Sequence, residues 1–218
     1  MSEKLVFAVP KGRILDELLP LFKKADLIPE DAFFDDSSRL LRFRTNHENV
    51  ELIRVRSFDV ASFVAFGAAQ IGVCGSDVLA EFNYSDLYAP VDLGVGKCHM
   101  SVACPKGFDD AGELYRSGHV RVATKYPEIT KRYYASLGVQ AECVKLSGAM
   151  ELAPVVNLCK RILDVVSTGA TLRANGLEER QRVMEVSSKL ILNRGAFKTR
   201  PNEMAYWVET FKKVCEKC

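Results

Sequence analysis

Short apolar runs, each closed by a polar turn and followed by a segment with apolar residues three or four apart, recur along most of the chain. The first run, residues 4–9, has the length and β-branched content of a buried strand. Past Pro10-Lys11-Gly12-Arg13, apolar positions 14, 15, 18, 19, 21 and 22 predict a helix from about Ile14 to Ala25, with Asp16 and Glu17 suited to its first turn. Residues 40–55 read as a β-hairpin turning near Asn46 to Asn49, with Arg54 and Arg56 at the close of its second strand. A helix capped by Ser57 and ended by Gly67 follows, then a strand from Ile71 to Cys74 and a further helix after Gly75-Ser76-Asp77.

Between Leu87 and Ala103 a strand is interrupted by Gly94 and Gly96, where a chain can cross between domains. Beyond it the pattern predicts a strand at 120–124, a helix at 127–137, a strand at 141–145, and a helix from Glu151 to Arg161. A buried strand from Ile162 to Val166 comes next. The segment after Gly176 is charged and reads as helical to Val186, residues 189–193 as a strand, and the end as a helix from about Asn202 to Cys218. Its buried stripe is Met204, Val208, Phe211 and Val214 or Cys215. This alternation predicts an α/β protein of two lobes, residues 1–95 with 190–218 and residues 96–189, with ligands at the carboxyl ends of strands in the interlobe cleft.

Composition narrows the function classes. Of 218 residues, 48% are hydrophobic and 27% charged, enough for a sizeable core. Thirty basic against 28 acidic residues leave a formal charge of +2, so no global field argues for nucleic acid or a membrane surface. The first residues carry acid and base around a short apolar run, unlike a signal peptide or span, and a cytoplasmic location is expected. The odd cysteine count, seven, reads as small buried hydrophobes, and the single C-x-x-C at Cys215 and Cys218 has no second half. His47, His99 and His119 lack ligand spacing, so no metal site made by protein side chains is expected.

The candidate chemistry centres on R-I-L-D-V-V-S-T-G-A-T-L-R-A-N-G-L at 161–177. A strand breaking into Ser167, Thr168, Gly169, Ala170 and Thr171 before a helix can cradle a phosphate through backbone N–H groups and hydroxyls. The same residues also serve ordinary turns and caps. Asp164 favours the cradle: a carboxylate at a strand end is costly to bury unless satisfied, and a ribose diol would satisfy it. Lys11 and Arg13, on the first strand-to-helix loop, either face solvent or suit a polyphosphate. Gly75-Ser76-Asp77 is a second possible cradle, equally readable as a cap.

Taken together, V-P-K-G-R at 9–13, the hairpin arginines 54 and 56, G-V-C-G-S-D at 72–77 and D-L-G-V-G-K-C at 92–98 resemble the ATP phosphoribosyltransferase family. So do R-V-A-T-K-Y-P at 121–127, K-L-S-G-A-M-E-L-A-P at 145–154 and D-V-V-S-T-G-A-T-L-R-A-N-G-L at 164–177. The resemblance covers nearly the whole chain in order. It implies a two-lobed, periplasmic-binding-protein-like type II fold and the condensation of ATP with phosphoribosyl pyrophosphate, with Mg²⁺ bound mainly through substrate phosphates. It implies the family's short form, a homodimer that joins a regulatory subunit resembling histidyl-tRNA synthetase in a hetero-octamer. On this resemblance Asp164 and residues 167–171 bind phosphoribosyl pyrophosphate. Lys11, Arg13 and Arg56 are catalytic, and Arg54, Gly75 and Glu151 lie on the ATP side, one of the two hairpin arginines acting across the dimer interface. Asn157, Cys159 and Lys160 depart from the family pattern in the expected helix before the central strand, as do Ala61 and Gln70 elsewhere.

Two other readings fit the residues. A two-lobed receptor for a phosphorylated metabolite would use the same fold without chemistry. A phosphoribosyltransferase for another base would keep the cradle and change the acceptor. Asp164 beside a phosphate loop, with a separate basic set, suits two substrates better than one.

Overall fold

The computed structural model describes residues 4–35 and 38–216. In chain order its elements are β1 (Leu5–Pro10), α1 (Arg13–Lys24), β2 (Arg42–Arg44), β3 (Val50–Val55), α2 (Ser57–Ala65), β4 (Ile71–Gly75), α3 (Ser76–Phe82), β5 (Leu87–Asp92) and β6 (Cys98–Pro105). They continue as α4 (Asp110–Ser117), β7 (His119–Thr124), α5 (Pro127–Ser136), β8 (Gln140–Lys145), α6 (Leu152–Val155), β9 (Arg161–Val166), α7 (Ala170–Ala174), β10 (Leu177–Val186), β11 (Ser188–Asn193), α8 (Arg194–Thr199) and α9 (Pro201–Glu216). Two compact units result, one running to Gly96 and resuming at Ser187, the other spanning Lys97–Val186.

The first unit holds a six-stranded sheet in the order β2-β3-β1-β4-β11-β5. β1 is parallel to both β3 and β4, and β11 is antiparallel to β4 and β5. Every residue of β1 is buried. Leu5, Phe7 and Val9 enter a core with Leu18 and Phe22 of α1 and Met204, Trp207 and Phe211 of α9, while Val6 and Ala8 meet Val60, Ala61 and Val64 of α2. A strand covered by helices on both faces shows a continuous apolar run rather than alternation, which is how the sequence reads there. Gln70 extends the pairing, its Oε1 accepting from Val6 N–H at 2.9 Å. Asn193 serves two helices: its Oδ1 accepts from Ala196 N–H at 2.9 Å and its Nδ2 donates to Val64 O at 2.8 Å.

The second unit holds a five-stranded sheet in the order β10-β6-β9-β7-β8. β9 is parallel to β7 and antiparallel to β6, and β7 is parallel to β8. At the amino end of β9, Arg161 is only 3% exposed; its Nε and Nη1 donate to Asp110 and Glu113, each at 2.6 Å, and its guanidinium lies 5.2 Å from the Phe108 ring centre. These two ion pairs of a buried arginine tie α4 to the central strand.

Three expectations are corrected. Residues 177–186 form β10, a strand and not a helix; Glu, Arg and Gln give them helical propensity, but they pair along β6 as a sheet edge, where exposed charge is usual. The helix expected from Glu151 to Arg161 is only α6, which stops where Asn157 turns left-handed at φ 56°. Asn157, Cys159 and Lys160 therefore stand in a turn. Ser57 is the first residue of α2, with Arg56 at the capping position and no side-chain cap. α4 and α8 were not anticipated; Asp109 caps α4 by accepting from Gly112 N–H at 3.0 Å. Trp207 joins the expected stripe of α9, Cys218 lies outside the described residues, and burial pushes the Cys104 thiol up to about 12.

Gly72 of β4 faces α2 so closely that a Cβ there would lie 2.7 Å from Val64 Cγ2 and 2.9 Å from Val60 Cγ1. Gly72→Ala is expected to destabilise the chain by about 1–3 kcal/mol through overpacking, read as a lower urea midpoint. Burial opposes ionisation of Glu51, but hydrogen bonds from Lys4, at 2.7 Å, and Arg42 hold its carboxyl below the ordinary value of 4.5. A depressed carboxylate stabilises the fold above its unfolded value and loses that contribution as pH falls through its folded value. Glu51→Gln should therefore lower the urea midpoint at pH 7 and lose less than the parent chain on acidification from pH 5 to pH 3, a range of about two units around that of free carboxylates.

Candidate active site

In the first unit the parallel strands β3, β1 and β4 end on one edge of the sheet. The register pairs Val9 with Arg54 and Pro10 with Val55, and Lys11 N–H donates to Val55 O at 3.0 Å. The turn carrying Lys11 and Arg13 is thereby held beside the one carrying Arg56, and all three cations are exposed. Arg13 meets Glu17 at 3.7 Å, a surface pair that leaves it available to an anion. Arg54 is placed differently. Its Nη1 donates to Phe33 O at 3.0 Å, its guanidinium lies 5.7 Å and 5.2 Å from the ring centres of Phe33 and Phe43, and its Nε is buried without a partner. It packs into the protein and steadies the strand that leads to Arg56.

At the end of β4, Gly75 is buried, and a Cβ there would fall 2.0 Å from Asp77 Oδ1. Ser76 N–H donates to Ser187 O at 2.9 Å, and its hydroxyl accepts from Ser187 N–H at 3.2 Å. These donors and acceptors strap β4 to the start of β11.

In the second unit the parallel strands β9, β7 and β8 also end on a common edge. Thr124 pairs with both Leu163 and Lys145, and its hydroxyl donates to Leu163 O at 2.8 Å. That alignment brings the loop after β9, with Ser167, Thr168 and Gly169, to the same edge as the loop after β8, which ends in Glu151. Ser167, Thr168, Ala170 and Thr171 are exposed, while Gly169 is buried and left-handed, with φ 67°. Only glycine takes that conformation cheaply. Among the described residues none accepts a hydrogen bond from the Thr168 or Gly169 N–H, and Ala170 N–H has only a long contact, 3.4 Å, to the Thr168 hydroxyl. Unused amides beside hydroxyls are what an oxyanion needs.

Asp164 lies partly exposed on β9, its Oδ1 accepting from Val165 N–H at 2.8 Å, and it pairs across the sheet with Ser101. The loop also has a cation that the sequence reading passed over. Arg173 Nη1 would lie 3.0 Å from a Cβ on Gly169 and Glu179 Oε1 3.5 Å from it. The signal for Arg173 was its place four residues after Gly169, one helical turn on. Glu179 had no such signal, because it arrives from a strand that reads as a helix. Each unit thus assembles its own expected group, with Lys11, Arg13 and Arg56 in one and Asp164, Glu151 and residues 167–171 in the other.

The family model for ATP phosphoribosyltransferase matches residues 56–213. The chain is 62% identical over 214 residues to the ATP phosphoribosyltransferase of Paramagnetospirillum magneticum, covering 98% of each, and 58% identical over 215 residues to that of Rhodospirillum rubrum, covering 99% of this chain and 95% of the other. Its fold is similar to a solved chain in the ATP phosphoribosyl transferase (HisG:HisZ) complex of Thermotoga maritima, with TM-score 0.82 and 31% identity over 98% of this chain and 100% of that one. Sequence and fold agree along nearly the whole length, and the chain belongs to the ATP phosphoribosyltransferase family.

Proposed function

We propose how the family's reaction is divided among the residues of this chain. The reaction transfers the 5-phosphoribosyl group of phosphoribosyl pyrophosphate to N1 of ATP and releases pyrophosphate, the first step of histidine biosynthesis. The carrying observation is the loop after β9, where left-handed Gly169 and uncommitted amides stand among three hydroxyls, three to seven residues beyond Asp164. We assign the 5-phosphate to residues 167–171 and the ribose hydroxyls to Asp164, whose carboxylate can accept from both. A non-catalytic receptor has no support among relatives that carry the transferase's name.

Displacement at the anomeric carbon leaves positive charge on the ribose and negative charge on the departing pyrophosphate, so positioning and charge stabilisation dominate. Adenine N1 is the nucleophile, and no side chain need attack. Lys11, Arg13 and Arg56 are assigned to the developing negative charge, and Gly75 and Glu151 to the ATP side, with Arg54 supporting Arg56 from within. Among the described residues no three His, Cys, Asp or Glu side chains cluster to hold a metal ion, so Mg²⁺ is assigned to substrate phosphates, where it would neutralise the leaving group. The neighbouring Thermotoga complex supports a regulatory partner of the HisZ kind. We extend this to a homodimer within a hetero-octamer whose regulatory subunit resembles histidyl-tRNA synthetase. No described helix is long and apolar enough to cross a membrane, and a cytoplasmic location fits a biosynthetic enzyme.

Absorbance on mixing the chain with ATP, phosphoribosyl pyrophosphate and Mg²⁺ tests the reading, because alkylation of N1 changes the adenine chromophore. A rise needing all three is expected; silence even with the regulatory subunit present would overturn it. In the same assay Arg56→Ala should lower kcat on the order of 10²-fold without changing the melting temperature, since the side chain is exposed. Asp164→Asn should raise the KM for phosphoribosyl pyrophosphate roughly tenfold and leave that for ATP unchanged.

A further inference from the structure

Outside the assigned residues, the carboxylate of Glu179, on β10, has two side-chain partners on a neighbouring strand. Its Oε2 accepts from the Ser101 hydroxyl at 2.8 Å and lies 2.6 Å from His99 Nε2. A carboxylate there only accepts, so His99 carries its proton on Nε2. Ser101 is 1% exposed and pairs with Asp164 across β6 and β9, and His99 pairs with Val166, the last residue before the loop. Burial works against the charge of Glu179, but the bonds from His99 and Ser101 hold its carboxyl below the ordinary value. The other oxygen, Oε1, is the one that would sit 3.5 Å from a Cβ on Gly169.

One carboxylate therefore joins β10 to β6 and stands beside Gly169 in the loop leaving β9. A bare negative charge at that distance would repel a phosphate. Here Oε2 is committed to two donors, and the Arg173 guanidinium shares the flank of Gly169 with Oε1. We propose that Glu179, held by His99 and Ser101, is a positioning residue that sets the loop of residues 167–171 for the 5-phosphate of phosphoribosyl pyrophosphate. The proposal rests on the assignment of that loop to the 5-phosphate. A strut that merely joined β6 to β10 would change stability without discriminating between the substrates.

Three variants of the full chain separate these cases: Glu179→Gln, which keeps the shape and removes the charge; His99→Asn, which weakens the hold on Oε2; and Gly169→Ala, which tests the loop assignment itself. KM for each substrate and the melting temperature are read for all three. Losing a hydrogen bond to a charged group should raise the KM for phosphoribosyl pyrophosphate roughly tenfold in Glu179→Gln and His99→Asn, with the KM for ATP within about twofold. If Glu179→Gln does not fold, His99→Asn decides. The proposal is overturned if both leave the KM for phosphoribosyl pyrophosphate unchanged while Gly169→Ala raises it, or if the two KM values rise together as the melting temperature falls. If Gly169→Ala leaves binding of phosphoribosyl pyrophosphate intact, the loop assignment fails and the role of Glu179 fails with it.

Discussion

Parallel pairing of three strands in each unit is the constraint on which the rest of this structure depends. Parallel neighbours deliver their carboxyl ends to one edge, and the loops leaving that edge are brought together whatever their separation in sequence. Val9 beside Arg54 places the 11–13 turn next to Arg56, 43 or more positions further along. Thr124 beside Leu163 and Lys145 does the same for the loop after β9 and the loop that ends in Glu151. Hydrogen bonds of the backbone thus hold side chains that make no direct contact with one another.

Burial supports that alignment. β1 is covered on both faces, Gly72 admits α2 close to its strand, and Arg161 with Asp110 and Glu113 pins the amino end of β9. Packed interiors resist small displacements, so the loop at the carboxyl end of β9 begins from a strand fixed at its other end. The flexible chemistry of the loop, its amides and hydroxyls, is mounted on a part of the fold that does not yield. Three exposed cations, Lys11, Arg13 and Arg56, lie at the sheet edge, whereas Arg54 and Arg161 are consumed internally.

Glu179 shows how a residue with no local signature is carried to a distant loop. Its segment, L-E-E-R-Q-R-V-M-E-V, carries residues that favour helices, and only pairing with β6 makes it a strand. Two register shifts along that pairing, between Glu179 and Gln181 and between Arg182 and Met184, re-aim its side chains. The carboxylate consequently reaches back over β6 to Ser101 and His99.

The amino-acid sequence by itself determined the alternation of strands and helices along most of the chain, the family, and the strand-loop-glycine form of residues 161–171, because each depends on neighbours within a few positions or on a long ordered series of motifs. Strand β9, its break at Ser167 and the glycine at 169 are local facts, and their form was legible. What tertiary structure decided was everything that burial and pairing set from a distance. It made residues 177–186 a strand at a sheet edge. It turned Arg54 inward onto two aromatic rings, strapped Ser76 to Ser187, and carried Glu179 to Gly169. Those outcomes depend on which surfaces meet after the chain has folded, and partners 78 or 80 residues apart, such as Ser101 and Glu179 or His99 and Glu179, leave no periodic trace in either segment.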